Sequence, residues 1–249
     1  MDKPAHIKKA AAVAARLNRL PLTAGLFRYS AAQFLVALIL LLVAYPFVVE
    51  LKNGDLIETA LMTALLISAV LAVGGRGRAL VLAILLVLPA AGGRWVEHYQ
   101  PDLVPPWIIP CAEMTFVGFV VAQLLAFILR APRVNSEVLC AGISAYLLLG
   151  LLWTTAYLLV SRLYPNSFSS IHFTGANHSL GKFDALYLSF VSLTCLGCND
   201  ITPLSKPARM LMLMEATTGV FYLAILIARL VALYSRRGRS DKADPAESN

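Results

Sequence analysis

The sequence predicts an all-α integral membrane protein in which six helices span the bilayer and a shorter helix re-enters it between the fifth and sixth spans. Three observations lead to this fold class: an apolar composition, long runs without charges, and basic residues gathered on one side of the predicted topology. Of the 249 residues, 59% are hydrophobic and only 14% are charged, whereas about a quarter of a soluble domain is charged. The spans leave no room for a separate catalytic domain, so we expect no enzyme activity.

Six apolar runs have the composition of spans, and a span needs about 20 helical residues. They are residues 29–49, 57–73, 79–93, 107–129, 138–160 and 210–234. The third run has only 15 residues, which is short for a crossing. Between the fifth and sixth runs, the polar stretch 161–209 contains an apolar segment at 185–193. This segment is too short to span, and such segments are typically re-entrant.

The distribution of basic residues decides whether the third run is a span. With six spans and both termini in the cytoplasm, 15 of the 21 Lys and Arg residues fall on the cytoplasmic side, which is the usual bias. Omitting the third span would place one basic terminus outside. We therefore expect six spans in a bacterial-type plasma (inner) membrane. The net charge of +7 then reflects topology, since no basic patch with interleaved aromatics indicates a nucleic-acid partner.

The predicted organisation has four parts. They are a basic cytoplasmic tail (1–28), a four-helix membrane domain (29–130), a second membrane domain with the re-entrant segment (131–235) and a disordered cytoplasmic tail (236–249). The N-terminal tail suits either a helix lying on the inner leaflet or a solvated tail that only fixes orientation. The fourth run has no Arg or Lys at every third position, so we expect no voltage sensor. It carries one acid, Glu113, and intramembrane acids are functional by default.

The stretch TCLGCND, residues 194–200, lies just before the last apolar run. Its two cysteines have the C-x-x-C spacing of thiol and metal chemistry, but the glycine between them indicates a tight backbone. A lone C-x-x-C usually needs further ligands, and no second thiol pair or clear His ligand lies nearby. Cys111 and Cys140 fall inside apolar runs, where a small buried thiol is the ordinary interpretation.

The sequence FDALYLSFVSLTCLGCNDITPLSKPARMLMLMEATTGVFYLAILIARLVALYS, residues 183–235, resembles the pore module of tetrameric potassium channels. It contains, in order, a short pore helix, a T-x-x-G filter, an Asp with a Thr-Pro exit, and a long inner helix. The preceding SAYLLLGLLWTTAYLLV resembles the outer helix of bacterial one-pore-per-chain members of the same superfamily. The resemblance implies a homotetrameric channel for monovalent cations, K⁺ and also Na⁺. It implies membrane lipid as surroundings, and neither a cofactor nor a nucleic-acid partner.

In such a filter, backbone carbonyls replace the hydration shell of a cation. Pointing successive carbonyls toward one axis forces some residues to positive φ, where glycine is nearly free of strain. By the resemblance, the filter segment is Thr194, Cys195, Leu196, Gly197, Cys198, Asn199 and Asp200. Compared with the family pattern T-V/I/L-G-Y-G-D, Leu196, Gly197 and Asp200 match.

Three positions depart from the family pattern. Cys195 stands where the filter threonine belongs, and sulfur is a weaker ligand than oxygen for a hard cation. Cys198 replaces the tyrosine whose ring braces the filter in the family. Asn199 replaces the second glycine, at a cost of about 1 kcal/mol in a left-handed conformation. We therefore expect reduced K⁺ selectivity, no firm metal site, and block by soft metals at Cys195 and Cys198.

The resemblance also assigns roles outside the filter. Gly219 falls at the position of the inner-helix hinge, with simple close packing as the alternative. Tyr187 in the pore helix and Glu215 in the inner helix are expected to support the filter. For Glu215, the alternative is a pair with Lys206 or Arg209.

Two other classes of function remain open at this point. One is a non-conducting pseudo-channel that serves as a structural or regulatory subunit. The other is a thiol-lined protein that binds or transports soft metals, because fourfold symmetry would bring eight thiols close to one axis. The filter interpretation accounts for Gly197, Asp200, Thr202 and Pro203 together, and we therefore favour it.

Overall fold

The computed structural model describes residues 31–49, 51, 54–73, 78–100, 105–131, 135–170, 180–197 and 200–243. These residues form α1 (Ala31–Val49), α2 (Gly54–Val73), α3 (Arg78–Tyr99), α4 (Ile108–Arg130), α5 (Ser136–Leu163), β1 (Phe168–Ser170), α6 (Lys182–Leu193), β2 (Ile201–Pro203) and α7 (Lys206–Ala243). The predicted N-terminal tail, 1–28, lies outside the described residues. We call the end at which α1 meets α2, α3 meets α4 and α5 leads to α6 the outer end, after the predicted orientation.

Six of these helices, α1 to α5 and α7, are long and apolar enough to cross a membrane. The predicted six-span, all-α membrane fold is thereby confirmed. The remaining helix, α6, has 12 residues and coincides with the segment predicted to re-enter the membrane. It begins three residues earlier than the apolar segment 185–193, because its first turn is polar.

The third span is longer than its apolar run. Helix α3 has 22 residues and passes through Arg94 and Glu97, where the apolar pattern stops. Arg94 donates to both carboxylate oxygens of Glu113 in α4, through Nε and, at 3.0 Å, through Nη2. Because each charge is neutralised by the other, both can lie at the helix interface. Arg94 is thus the partner of Glu113, the intramembrane acid noted in the sequence.

Helix α5 lies at the centre of the molecule and contacts α1, α4, α6 and α7. Its Leu148 shares one apolar core with Phe34 and Leu38 of α1 and with Phe116 and Val120 of α4, all fully buried. The two predicted membrane domains therefore pack through α5. Among the described helices, α5 is the one most enclosed by its own chain, with half of its span buried.

Local sequence signals mark the end of α4 and the starts of α5 and α7. Ala131 is extended because a proline follows it, which ends α4. The side chain of Asn135 accepts from the Val138 amide at 3.0 Å and caps α5. The Ser205 hydroxyl accepts from the Ala208 amide at 3.2 Å and caps α7 in the same way.

Helix α7 continues to Ala243, whereas the sequence predicted the tail 236–249 to be disordered. The helix thus includes residues 236–243 of the predicted tail, and the predicted disorder of the tail stays a prediction. Residues 244–249 lie outside the described part of the chain.

Two short strands, which the sequence analysis did not predict, close the base of the re-entrant segment. Strands β1 and β2 pair antiparallel, with Phe168 opposite Pro203 and Ser170 opposite Ile201. Phe168 and Ile201 are buried in a small second core together with Tyr157 and Leu188. The chain therefore enters the re-entrant segment at β1 and leaves it at β2, at neighbouring points.

Candidate functional site

The filter segment begins where α6 ends. Thr194 is the last residue in right-handed conformation, and Cys195 follows with a φ of 57°. The Cys195 amide donates to Ser192 O at 3.0 Å and the Leu196 amide donates to Val191 O at 3.1 Å. This pattern is a Schellman motif, whose left-handed position is usually glycine. A cysteine there costs about 1–2 kcal/mol of backbone strain.

The sign of φ changes from residue to residue along the segment. Gly197 has a φ of 84°, and Leu196 between the two left-handed residues is not among those with positive φ. Alternation of this kind turns successive carbonyls toward the same side, as a cation filter requires. Thr194, Cys195, Leu196 and Gly197 are all exposed in the single chain. Cys198 and Asn199 lie outside the described residues, so their predicted roles stay predictions.

The end of α6 is held from two sides. The Tyr146 hydroxyl of α5 donates to the carbonyl of Leu193, the last residue of α6, at 3.2 Å. On the other side, α7 passes so close that a Cβ on Gly219 would lie 2.3 Å from Leu193 O. Glycine at 219 is therefore needed for close packing, which was the alternative to a hinge. The hinge role of Gly219 stays a prediction, and α7 is an unbroken helix at this point.

Replacing Gly219 with alanine is expected to destabilise the protein by about 1–3 kcal/mol, because the new methyl group meets backbone that cannot rotate away. The measurement is the thermal denaturation midpoint of purified protein in mild detergent. Gly92→Ala in α3 is the matched control, since a Cβ there would meet nothing within 4 Å. The control should be at least as stable as the wild type, because alanine is favoured over glycine inside a helix by up to about 1 kcal/mol. Equal midpoints for the two variants would contradict the close contact.

Glu215 lies behind the filter segment and is fully buried. Tyr157 of α5 donates to its Oε2 at 2.5 Å, and Ser189 of α6 lies 2.6 Å from its Oε1. Ser189 Oγ is also 2.7 Å from Gly150 O, so its single proton serves two acceptors. This cluster joins α5, α6 and α7 one turn before the filter segment. The predicted support role of Glu215 agrees with this position and itself stays a prediction.

Arg209, one of the two alternative partners of Glu215, is engaged elsewhere. Arg209 Nε donates to Pro203 O at 3.2 Å and thus holds β2. Tyr187, the other predicted support residue, is 40% exposed and lines an apolar cavity with Leu42 of α1 and Phe190 of α6. Its bracing role depends on the undescribed end of the filter segment and stays a prediction.

The described cysteines, Cys111, Cys140 and Cys195, are free thiols. Cys195 Sγ is exposed and lies 4.0 Å from Ala216 O on α7. Within the part of the chain that the structure describes, no group of three or more His, Cys, Asp or Glu residues is arranged to hold a metal ion. The geometry of the Cys195 and Cys198 thiols relative to each other lies outside that part.

Helix α7 presents one face to its own chain. Glu215, Gly219, Tyr222 and Arg229 lie on this face, with the i, i+4, i+7 spacing of a helical stripe. Tyr222 donates to Gly142 O in α5 at 2.6 Å. Arg229 donates to the carbonyls of Leu129 at 2.7 Å and Ala131 at 3.0 Å, at the end of α4. Its guanidinium thus caps the C-terminal end of α4, where a cation is favoured.

Sequence reasoning missed the polar residues that connect the helices. Tyr146, Tyr157, Ser189 and Tyr222 lie in runs that look uniformly apolar, and no local pattern marks their partners. A usable signal exists for the hydroxyl groups: a buried Tyr or Ser needs a hydrogen-bond partner. The sequence alone does not say which backbone carbonyl supplies it.

The comparison with protein families bears on this segment. Residues 145–236, from the middle of α5 to α7, match a family model described as "Ion channel". The searches of curated proteins and of solved structures gave no match to the chain. The match supports the predicted resemblance to ion channels for this part of the chain, and it leaves the potassium-channel assignment and the filter as predictions. Residues 145–236 of this membrane protein are thus similar to ion channels, and an ion-channel function is supported in general terms.

Proposed function

We propose that four copies of this chain surround a central ion path and that residues 194–200 of each copy form its selectivity filter. The permeant ions are K⁺ and Na⁺, with K⁺ preferred less strongly than by a filter of the full family pattern. The observation that carries the proposal is an exposed segment of alternating φ at the end of a helix that is otherwise anchored. The carbonyl end of α6 adds a partial negative charge beside this segment, which favours cations.

The uncovered face of α7 supports assembly. Its large apolar side chains that are more than half exposed are Met210, Leu213, Met214, Val220, Phe221, Ile225, Ile227 and Val231. Thr217, a polar residue at the level of the filter segment, is exposed on the same helix. A single chain contributes one filter segment and cannot surround an ion, so closed symmetry requires further copies. We place the assembly in a bacterial-type plasma membrane with both termini in the cytoplasm.

A homotetramer is the expected assembly, because four filter segments complete the ring of carbonyls. Native mass spectrometry or mass photometry of the full chain in lipid nanodiscs measures the copy number. Four chains per particle agree with the proposal. A chain that stays monomeric or dimeric in lipid at all concentrations would contradict it.

Planar-bilayer recordings in K⁺, Na⁺ and Ca²⁺ test the function itself. Currents carried by K⁺ and Na⁺ with a modest preference for K⁺ support the proposed channel. A tetramer that is silent under every condition would indicate a non-conducting pseudo-channel. Tight binding of Ag⁺ or Cu⁺ without any monovalent current would instead indicate a thiol-lined metal protein, with Cys195 as the described thiol nearest the path.

A further inference from the structure

We propose that the first four spans position the pore helix, and that Lys182 is the residue through which they do so. Lys182 is the first residue of α6 and lies at the outer end. Its Nζ is 2.9 Å from Glu58 Oε2 and 3.3 Å from Asp55 Oδ1, both in α2. The inference rests on the proposed function in one respect: it takes α6 to be the helix that carries a filter.

The position of Lys182 is not explained by α6 alone. The N-terminal end of a helix carries a partial positive charge, so a lysine in the first turn is disfavoured there. The two acids of α2 offset this repulsion from outside the helix. Asp55 is largely exposed, with 81% of its side-chain surface accessible, whereas Glu58 is only 7% accessible. Glu58 is therefore the partner that fixes the ammonium group.

Glu58 is itself held in place by the four-helix domain. The Tyr45 hydroxyl of α1 donates to Glu58 Oε1 at 3.4 Å, which leaves Oε2 for Lys182. Exposed ion pairs contribute little to stability, but a buried carboxylate that loses its partner is costly. Glu58 is such a buried carboxylate, so losing the Lys182 ammonium group would be costly for it. Movement of α1 and α2 therefore acts directly on the start of α6.

Helix α6 is suited to transmit such movement. It is 12 residues long, and thus about 18 Å at 1.5 Å per residue. Its middle is fixed by Ser189 on Glu215, and its end, Leu193, is fixed by Tyr146. A displacement at Lys182 is therefore passed along the helix as a load on these two contacts, and the filter segment follows Leu193 without a linker. Lys182 is therefore a positioning residue for the filter.

A second ion pair at the outer end offers a matched control. Arg162 at the end of α5 pairs with Glu97 of α3 at 2.8 Å and donates to Pro106 O at 3.3 Å. It lines the same polar cavity of about 300 Å³ as Lys182 and Glu58. Arg162 also joins the four-helix domain to the C-terminal segment, but it does not contact α6 through this pair.

The test reverses the charges of each pair in the full chain in lipid nanodiscs. The variants are Lys182→Glu, Glu58→Lys and their combination, with Arg162→Glu, Glu97→Lys and their combination as controls. Hydrogen–deuterium exchange of the α6 amides is the first measurement, because it reports local opening without requiring conduction. We expect Lys182→Glu to speed α6 exchange about tenfold, the double reversal to restore it, and the control pair to leave α6 unchanged.

The result that overturns the inference is unchanged α6 exchange in Lys182→Glu, or equal acceleration by the Arg162 and Lys182 reversals. If a charge reversal prevents folding, Lys182→Met and Glu58→Gln remove the charges with little change of volume and are judged by the same measurement. In conducting protein, the K⁺ to Na⁺ permeability ratio should fall with Lys182→Glu and recover in the double variant. Exchange rescue in a silent protein supports the inference while contradicting the proposed channel, so the two failures are distinguishable.

Discussion

The triple replacement Cys195→Thr, Cys198→Tyr and Asn199→Gly is expected to raise the K⁺ to Na⁺ permeability ratio by about tenfold or more. Tenfold corresponds to about 1.4 kcal/mol in the difference between the two barriers. By the resemblance, the changes return a hard oxygen ligand, a bracing ring and the second glycine of the family pattern. A left-handed backbone at that position would cost Asn199 about 1 kcal/mol in each copy, and thus roughly 4 kcal/mol around a fourfold axis, which the glycine would relieve.

Reversal potentials in mixed K⁺ and Na⁺ solutions measure this ratio. The single replacements should do less than the triple, because neighbouring residues of one packed element are not additive. Cys111→Thr on the exposed face of α4 is the control for the loss of a thiol away from the filter segment. Silver ions should block the wild type and spare the triple variant. An unchanged permeability ratio in a conducting triple variant would contradict the hypothesis that these three residues reduce K⁺ selectivity.

Replacing Glu215 with alanine is expected to lower the free energy of unfolding by about 2–4 kcal/mol. The carboxylate is fully buried, so its removal leaves a cavity and takes the Glu215 acceptor from the Tyr157 hydroxyl. Ser189 is affected less, because Gly150 O remains within reach of its hydroxyl. The loss therefore falls mainly on the contact between α5 and α7.

The thermal denaturation midpoint of the purified protein, followed by size-exclusion chromatography, is the measurement. Glu215→Gln keeps the volume and an acceptor oxygen and should cost clearly less than the alanine variant. Tyr157→Phe removes the other side of the same hydrogen bond, so a double-mutant cycle should show a coupling between 157 and 215. Alanine and glutamine variants as stable as the wild type would show that the cluster carries no stability.

The sequence predicted the parts of the fold that depend on one-dimensional patterns. Apolar runs and the distribution of basic residues identified six spans, including the short third one. Helices α3 and α7 both extend beyond the apolar runs that predicted them. Arg94 and Glu97 end the apolar run of α3, but the pairing of Arg94 with Glu113, 19 residues away, makes the longer helix tolerable. Residues 236–243 look polar and tail-like, yet no proline precedes 245 to stop α7.

For the candidate site, the sequence predicted a filter segment but not the side chains that hold the end of α6. Motif order identified residues 194–200, and the resemblance to potassium channels assigned a supporting role to Glu215. The sequence analysis expected strain at Asn199, whereas the described strain lies at Cys195, where a helix cap requires a left-handed residue. The partners Tyr146, Tyr157 and Lys182 could not be predicted, because contacts across 47 to 127 residues of chain leave no periodic signal.

The pairing of β1 with β2 turns the chain between Ser170 and Ile201 into a closed loop with pinned ends. In polymer terms, lengthening such a loop is inexpensive, since each doubling adds only about 0.6 kcal/mol of closure entropy. Extra residues ahead of α6 would therefore change the closure entropy slightly without moving the points at which the loop is anchored. The length of the loop at the outer surface can therefore change while the filter segment keeps its position.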